Sequence, residues 1–245
     1  MSPIITVAGA TQVFGSRTIF RDVSFDIQPG EIFVILGGSG CGKSTLMKQM
    51  IGLLPPTAGD ITIAGHDVRR DSAAVRRQIG VMFQSGALLG SMNVVDNVSL
   101  PLAVFTDLPA AACDEIARLK LALVGLADAA LLMPSELSGG MIKRAAIARA
   151  LALDPPILLL DEPSAGLDPV TSAGIDRLIL QLREILGTTC VVVTHELASI
   201  MAVADRCAML DAKAAGLIAL GSPQELLENT SQPMVHAFFH REPLP

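Results

Sequence analysis

The chain has 245 residues, of which 51% are hydrophobic and 17% are charged, and its formal net charge is −6. This negative charge argues against a protein that binds nucleic acid through a basic face. The most apolar stretch, 116–133, is interrupted by charged residues and falls short of the roughly 20 apolar residues that a membrane-spanning helix needs. The four cysteines lack metal-ligand spacing, and no signal peptide is recognisable, so we expect reduced thiols and a cytosolic protein.

The hydrophobic pattern changes three times along the chain. Residues 1–84 read mainly as short apolar strands separated by turn residues. Residues 85–152 have a helical pattern, and 153–222 return to strands that alternate with helices. Residues 223–245 form a short tail. Because strands alternating with helices of this length are typical of a parallel sheet, we predict an α/β fold in a single domain of 1–245.

Individual elements can be assigned from alternation and from turn residues. The predicted strands are Ile4–Val7, Val23–Ile27, Ile32–Leu36, Ile61–Ile63, Ile157–Leu160, Cys190–Thr194, Ala208–Leu210 and Ile218–Leu220. One helix is predicted to begin after Gly42, and three more are predicted at Val170–Leu186, Ala198–Ala204 and Pro223–Leu227. Because proline lacks a backbone N–H, Pro101, Pro109 and Pro134 predict breaks in the helical region.

A glycine-rich loop joins the third predicted strand to the first predicted helix. Residues 37–44 read Gly-Gly-Ser-Gly-Cys-Gly-Lys-Ser and fit the pattern G-x-x-x-x-G-K-[ST] at every fixed position. In such a loop, backbone N–H groups and the helix N-terminus face phosphate oxygens. We expect Lys43 to neutralise the β- and γ-phosphates and the Ser44 hydroxyl to ligate Mg²⁺. The predicted nucleotide-binding residues here are Gly37, Gly38, Ser39, Gly40, Cys41, Gly42, Lys43, Ser44 and Thr45.

Two acidic residues follow the all-apolar strand 157–160. Such a strand is buried on both faces, so Asp161 and Glu162 emerge at its carboxyl end, where open α/β sheets bind ligands. Asp161 is suited to hold Mg²⁺ through water, and Glu162 is suited to polarise an attacking water as general base. Exposed acids at a strand end are the alternative, but the phosphate loop in the same chain favours catalysis.

The stretch Glu-Leu-Ser-Gly-Gly-Met at 136–141 precedes a helical run at 142–153. Ser138 is placed to cap that helix, and Gly139 and Gly140 leave its first N–H groups open to a phosphate. This stretch resembles the signature of the ABC family. The resemblance implies that the signature of one subunit closes on the ATP held by a second copy of the chain.

Other positions match functional residues of the ABC family. The resemblance implies that Phe14 stacks on adenine, with Arg17 as a weaker candidate. It also implies that Gln84 reaches Mg²⁺ and the attacking water, and that His195 contacts the γ-phosphate. Residues 164–168 resemble the D-loop, which runs along the dimer seam. The alternatives are core packing for Phe14, a polar turn residue at Gln84 and a structural role for His195.

The resemblance covers essentially the whole chain. It implies a P-loop NTPase with a RecA-like parallel sheet core and an N-terminal antiparallel β subdomain in 1–84 and 153–222. An inserted α-helical subdomain in 85–152 carries the signature, and 223–245 is a C-terminal tail. ATP and Mg²⁺ are the implied cofactors. The implied partners are a second copy and integral-membrane permease subunits, with no nucleic acid, at the cytoplasmic face of the inner membrane.

One departure points to a subfamily, because the signature usually ends in Gln and here ends in Met141. Leu-Ser-Gly-Gly-Met is similar to the signature of the ATPases of Mla and Mce lipid transporters. That similarity implies a lipid cargo, an MCE-domain periplasmic protein and accessory subunits. An ABC ATPase for polar amino acids or lipoproteins is the alternative. A non-transport ABC ATPase is disfavoured, because the chain has one cassette and no long insertion.

Two sets of apolar residues can each be interpreted in two ways. Those just after Gln84 suit either a groove for a permease helix or the core of the helical subdomain: Ala87, Leu88, Leu89 and Met92. In the tail, Phe238 and Phe239 suit either a clip onto the partner subunit or the closing of the last helix onto their own subunit.

Overall fold

The computed structural model describes residues 2–228 and 231–243, which form ten strands and nine α-helices. The strands are β1 (Ile5–Phe14), β2 (Arg17–Ile27), β3 (Ile32–Gly37), β4 (Ala58–Ile63), β5 (His66–Asp67), β6 (Ile79–Met82), β7 (Ile157–Asp161), β8 (Thr189–Val193), β9 (Arg206–Asp211) and β10 (Gly216–Gly221). The helices are α1 (Lys43–Met50), α2 (Ser72–Gln78), α3 (Val94–Phe105), α4 (Ala110–Leu123), α5 (Gly139–Ala150), α6 (Pro169–Leu186), α7 (Leu197–Val203), α8 (Pro223–Glu228) and α9 (Pro233–His240).

The larger sheet has the strand order β10-β9-β3-β8-β7-β6. Its five strands from β9 to β6 are parallel, and β10 pairs antiparallel with β9 at the edge. The predicted α/β fold with a parallel sheet is therefore confirmed. Because parallel strands end at one edge of a sheet, the residues that follow β3, β6, β7 and β8 are brought to the same edge.

Side chains of β3 alternate between two hydrophobic cores. Ile32, Val34 and Leu36 pack with the helices of the larger core cluster, whereas Phe33 and Ile35 pack toward the small sheet and α1. Because successive side chains of a strand point to opposite faces, a strand that is apolar throughout needs apolar neighbours on both faces, and β3 has them. The central strand is thereby held rigidly, and the phosphate loop begins at its last residue.

The smaller sheet is antiparallel, with the order β2-β1-β4-β5. Strands β1 and β2 are longer than predicted, because they pair as a hairpin up to the facing residues Phe14 and Arg17. The alternation that predicts strands is interrupted there by register shifts, which the sequence pattern does not reveal. Helix α2 was also absent from the predicted elements.

The helical region contains α3, α4 and α5, as its pattern predicts. Pro109 does separate α3 from α4, but the predicted break at Pro101 is wrong, because Pro101 lies inside α3. Burial of Val98 and Leu102 on either side of it keeps the helix continuous despite the missing backbone N–H. Pro134 begins a short 3₁₀ turn that leads to the signature.

The C-terminal tail is more structured than its sequence predicted, since α9 follows α8. Phe239 is 3% exposed and belongs to the larger core, and Phe238 packs partly against the same core. In this structure both rings close onto their own subunit. The predicted domain range 1–245 includes residues 1, 229, 230, 244 and 245, which lie outside the described residues. No helix within 2–228 and 231–243 combines the length and the apolar character needed to cross a bilayer.

Candidate active site

The phosphate loop follows β3 and ends where α1 begins at Lys43. Its path requires glycine at two positions with positive φ. At Gly37 (φ 140°) a Cβ would lie 2.2 Å from the Leu210 carbonyl oxygen, and at Gly42 (φ 103°) it would lie 2.7 Å from the Phe20 ring. These approaches exclude side chains, so the loop keeps its tight curvature and leaves its backbone free to face a ligand.

The Lys43 ammonium lies over this loop. Its Nζ donates to the carbonyl oxygens of Gly37 at 2.8 Å and Gly38 at 3.1 Å. The side chain of Cys41, a residue of this loop, is buried, and burial raises the pKa of its thiol. A cleft of about 190 Å³ opens here and is lined by Arg17, Ile19, Gly40, Gly42, Lys43, Ser44 and Thr45. Because an ammonium binds phosphate oxygens more strongly than neutral carbonyls, the cleft is suited to a polyphosphate.

Asp161 ends β7, two strands from β3 in the sheet. Burial raises the pKa of Asp161, and the charge of neighbouring Glu162 raises it further. Its Oδ1 is buried and has no hydrogen-bond partner among the described residues. A buried carboxylate oxygen with a free lone pair is the kind of ligand that Mg²⁺ or its bound water takes. The residues present therefore fit a divalent cation at this position.

Glu162 is held in a strained conformation. Its φ is 49°, in the left-handed region that favours glycine, and only 8% of the residue is exposed. The backbone N–H of Glu162 donates to the Val193 carbonyl oxygen at 2.8 Å, which ties it to the neighbouring strand β8. This hydrogen bond fixes the backbone of Glu162 beside the end of β8.

The carboxylate of Glu162 contacts the histidine that follows β8. The distance between Glu162 Oε1 and His195 Nδ1 is 2.7 Å, and the other oxygen, Oε2, is buried without a hydrogen-bond partner among the described residues. One oxygen is therefore oriented by an imidazole, and the other has no partner among the described residues. A carboxylate oriented by a neighbouring imidazole is a candidate general base.

The signature lies at the start of α5. The Ser138 hydroxyl accepts a hydrogen bond from the Met141 backbone N–H at 3.3 Å, so Ser138 caps the helix as its residue type predicts. Ser138 and Gly139 are exposed, whereas a Cβ at Gly140 would lie 2.5 Å from Thr171 Cγ2. Met141 packs partly against the larger core. The helix start therefore presents open N–H groups to solvent, and Met141 serves packing.

Comparison with known proteins decides the family. The family model described as ABC transporter matches residues 20–165, which is more than half of the chain. The chain belongs to the ABC transporter family. Its fold is accordingly that of a P-loop NTPase, it binds ATP, and it is an ATPase of the ABC type.

Similar proteins cover nearly all of this ABC ATPase. The "Probable ribonucleotide transport ATP-binding protein mkl" of Mycobacterium leprae is 43% identical to it, covering 98% of the chain and 70% of that protein. The "Intermembrane phospholipid transport system ATP-binding protein MlaF" of Escherichia coli is also 43% identical, covering 91% of the chain and 84% of that protein. A solved dimeric structure of the ATP-binding cassette MJ0796, in a post-hydrolysis state bound to ADP and Pi, matches with a TM-score of 0.80 at 31% identity, covering 89% of this chain and 98% of that one.

Phe14 and Gln84 of the ABC ATPase are not among the residues that make the Glu162–His195 contact. Phe14 is 49% exposed at the tip of the β1–β2 hairpin, opposite Arg17, which lines the phosphate cleft. Gln84 is exposed just beyond β6. These positions keep Phe14 and Gln84 accessible to a ligand, and their roles toward nucleotide stay predictions.

In the segment that resembles the D-loop, Asp168 caps α6. It accepts hydrogen bonds from the backbone N–H groups of Val170 and Thr171. The hydrogen bond from the Thr171 side chain is the largest of the contacts that lower the pKa of Asp168. The described contacts of Asp168 are thus structural.

The apolar residues after Gln84 divide between the two interpretations that the sequence left open. Leu88 packs partly against the larger core, whereas Leu89 is 44% exposed. Ala87 is exposed and Met92 is half-buried. Part of this segment is therefore core, and part is free surface.

Two basic residues of the ABC signature helix were missed by the sequence analysis. Lys143 is 7% exposed and donates to the carbonyl oxygens of Gln84 and Glu162, and Arg149 donates to those of Gly86 and Ala87. Burial lowers the pKa of Lys143, although nearby carboxylates oppose that shift. A basic residue on an otherwise small and apolar helix face is the one sequence signal that could have indicated these contacts.

Proposed function

We propose that this ABC ATPase hydrolyses MgATP at the edge of the sheet where β3, β6, β7 and β8 end. The observation that carries the proposal is the 2.7 Å contact between Glu162 Oε1 and His195 Nδ1 beside a buried Oε2 that has no partner among the described residues. In this proposal Glu162 accepts a proton from the attacking water, and His195 holds the carboxylate in place. Gln84 orients the same water from the loop after β6.

The phosphate loop would bind and orient the nucleotide. Its backbone N–H groups and Lys43 would hold the β- and γ-phosphates, and Phe14 or Arg17 would contact the adenine side of the cleft. Ser44, Asp161 and Gln84 would hold Mg²⁺, which, when bound, neutralises charge on the phosphate oxygens. The buried Oδ1 of Asp161, without a partner in the described part of the chain, supports that assignment.

A second copy of the chain would complete each site. The N-terminus of α5, with Ser138, Gly139 and Gly140, offers open N–H groups and the positive end of a helix dipole to a phosphate. The similarity to a dimeric ATP-binding cassette supports pairing. In this arrangement residues 85–152 act as the subdomain that carries the signature, and 1–84 with 153–222 as the subdomain that carries the catalytic residues.

The proposed cargo is lipid. Support comes from the 43% identity to MlaF, which is named as the ATP-binding protein of a phospholipid transport system and is matched over 84% of its length. Met141 in the signature agrees with that subfamily. Permease subunits, an MCE-domain protein and accessory subunits would be the partners, at the cytoplasmic face of the inner membrane. The equal identity to mkl, named for ribonucleotide transport, supports a polar cargo as the second candidate.

The test is to isolate the tagged chain from its own membranes with mild detergent, and to identify the co-purified proteins and lipids by mass spectrometry. The complex is then reconstituted in phospholipid vesicles, and MgATP hydrolysis and transfer of labelled phospholipid or ribonucleotide are measured. We expect phospholipid transfer that stops in the Glu162→Gln complex. ATP-dependent transfer of ribonucleotide without lipid transfer would contradict the lipid proposal and favour the second candidate.

A further inference from the structure

The signature helix contains a buried cation that contacts two catalytic segments at once. Lys143 lies in α5, five residues after Ser138, and 7% of it is exposed. Its ammonium donates to the backbone carbonyl oxygen of Gln84 and, at 3.0 Å, to that of Glu162. Lysine is rarely buried unless it is paired, because desolvating an ammonium costs several kcal/mol. These two carbonyls supply the pairing.

The contact with Glu162 acts on a strained peptide. Glu162 has φ 49°, and in this backbone conformation its carboxylate contacts His195. Its N–H is held by Val193 on one side, and its carbonyl oxygen is held by Lys143 on the other. Strained conformations persist where the surroundings over-determine them, and Lys143 provides one of the bonds that do so.

The contact with Gln84 is one of several hydrogen bonds between α5 side chains and the loop after β6. Arg149 donates to the carbonyl oxygens of Gly86 at 2.8 Å and Ala87 at 2.7 Å, so α5 holds this loop through two of its side chains. Lys143 also reaches the residue after β7, through its bond to Glu162. One ammonium thus joins α5 to the backbone of both Gln84 and Glu162.

We propose that Lys143 is a positioning residue that links the signature helix to the general base and to the Gln84 loop. It holds the carbonyl oxygens of Glu162 and Gln84, and thereby sets where their side chains point when α5 docks on nucleotide. The inference rests on the proposed roles of Glu162 and Gln84. It assigns no chemical step to Lys143, which acts through the two residues it holds.

The test compares Lys143→Met, which keeps the volume and removes the donors, with Lys143→Arg, which keeps a cation with several donors. We expect Lys143→Met to lower kcat for MgATP by about 10- to 100-fold, since small misplacements of catalytic groups cost that much. Its dissociation constant for ATP should stay within about threefold of wild type, and Lys143→Arg should recover kcat to within about fivefold. Lys120→Met is the matched control: it removes an ion pair between α4 and Asp154, away from the site, and should keep wild-type kcat.

A double-mutant cycle separates positioning from a general loss of structure. In a Gln84→Ala background, Lys143→Met should lower kcat by a clearly smaller factor, because the Gln84 side chain that Lys143 positions is absent while the backbone carbonyl remains. Equal factors in both backgrounds, or kcat within about twofold of wild type in folded Lys143→Met, would overturn the inference. If Lys143→Met does not fold, Lys143→Ala replaces it, since alanine also removes every side-chain donor and favours the helix. Wild-type kcat in that variant would again overturn the inference.

The failure of the inference and the failure of the proposed function can be told apart. Glu162→Gln is measured in parallel with the Lys143 variants. If Glu162→Gln stays active, the assignment of the general base is refuted whatever the Lys143 variants do. If Glu162→Gln is inactive and folded Lys143→Met is fully active, only the positioning role is refuted.

Discussion

The substitution Glu162→Gln removes a base while leaving its surroundings almost unchanged. The carbonyl oxygen of the new amide can keep the contact that Oε1 makes with His195, and the amide nitrogen then occupies the position of Oε2, which is buried without a partner among the described residues. An unpaired acceptor is exchanged for an unpaired donor, so we expect the free energy of unfolding to change by less than about 1 kcal/mol.

The effect on catalysis should be far larger. A positioned general base contributes about 10²–10⁴-fold in rate, which corresponds to roughly 2.7–5.4 kcal/mol of activation free energy at about 1.36 kcal/mol per tenfold. Lys43 and the phosphate loop are untouched, so ATP should bind with near wild-type affinity. The nucleotide is then trapped unhydrolysed, and the protein should dimerise upon addition of ATP.

Three measurements check this expectation: phosphate release for kcat, a fluorescent ATP analogue for the dissociation constant, and light scattering for the mass. Glu184→Gln, at an exposed carboxylate on α6, is the matched control and should behave as wild type. A folded Glu162→Gln protein whose kcat lies within about twofold of wild type would refute the assignment of the base. A loss of ATP affinity would instead show that the carboxylate serves binding.

Four further outcomes are expected. Lys43→Ala should weaken ATP binding by at least about 10-fold in a direct binding assay, because a hydrogen bond to a charged group contributes about 1.5–3 kcal/mol; unchanged affinity would exclude the loop as the site. Ser138→Arg removes a helix cap and places a cation at the positive end of the α5 dipole, so phosphate release should cease while ATP still binds to the loop. Met141→Gln should keep kcat within a few-fold but lower the melting temperature, because Met141 packs partly against the core. Asp176 is 8% exposed, and burial raises its pKa, so the ionised carboxylate destabilises the fold at neutral pH. Asp176→Asn should raise the melting temperature at neutral pH by about 2–4 °C, for about 1 kcal/mol. Because the pKa of Asp176 is higher in the folded state than in the unfolded state, the gain in melting temperature should shrink as the pH falls and vanish below the ordinary pKa of aspartate. A gain that grows toward acid pH would contradict a raised pKa of Asp176.

The sequence alone was enough to predict the parts of the site that are contiguous in the chain. The loop at 37–44 is recognisable because phosphate binding needs glycine, lysine and a hydroxyl at fixed spacing. The apolar strand 157–160 predicted its own burial, and therefore that Asp161 and Glu162 emerge at a strand end. Ser138 predicted a helix start, and the structure has α5 beginning at the next residue.

Tertiary structure decided which of these parts touch. Glu162 meets His195 because β7 and β8 are neighbours in the sheet, and strand order depends on packing across the whole chain rather than on local pattern. Lys143 is buried because α5 lies over the ends of β6 and β7, and its burial and its two partners depend on that packing rather than on the local pattern. Pro101 stays helical for the same reason: burial of its neighbours outweighs one lost hydrogen bond, and burial is a property of the folded chain.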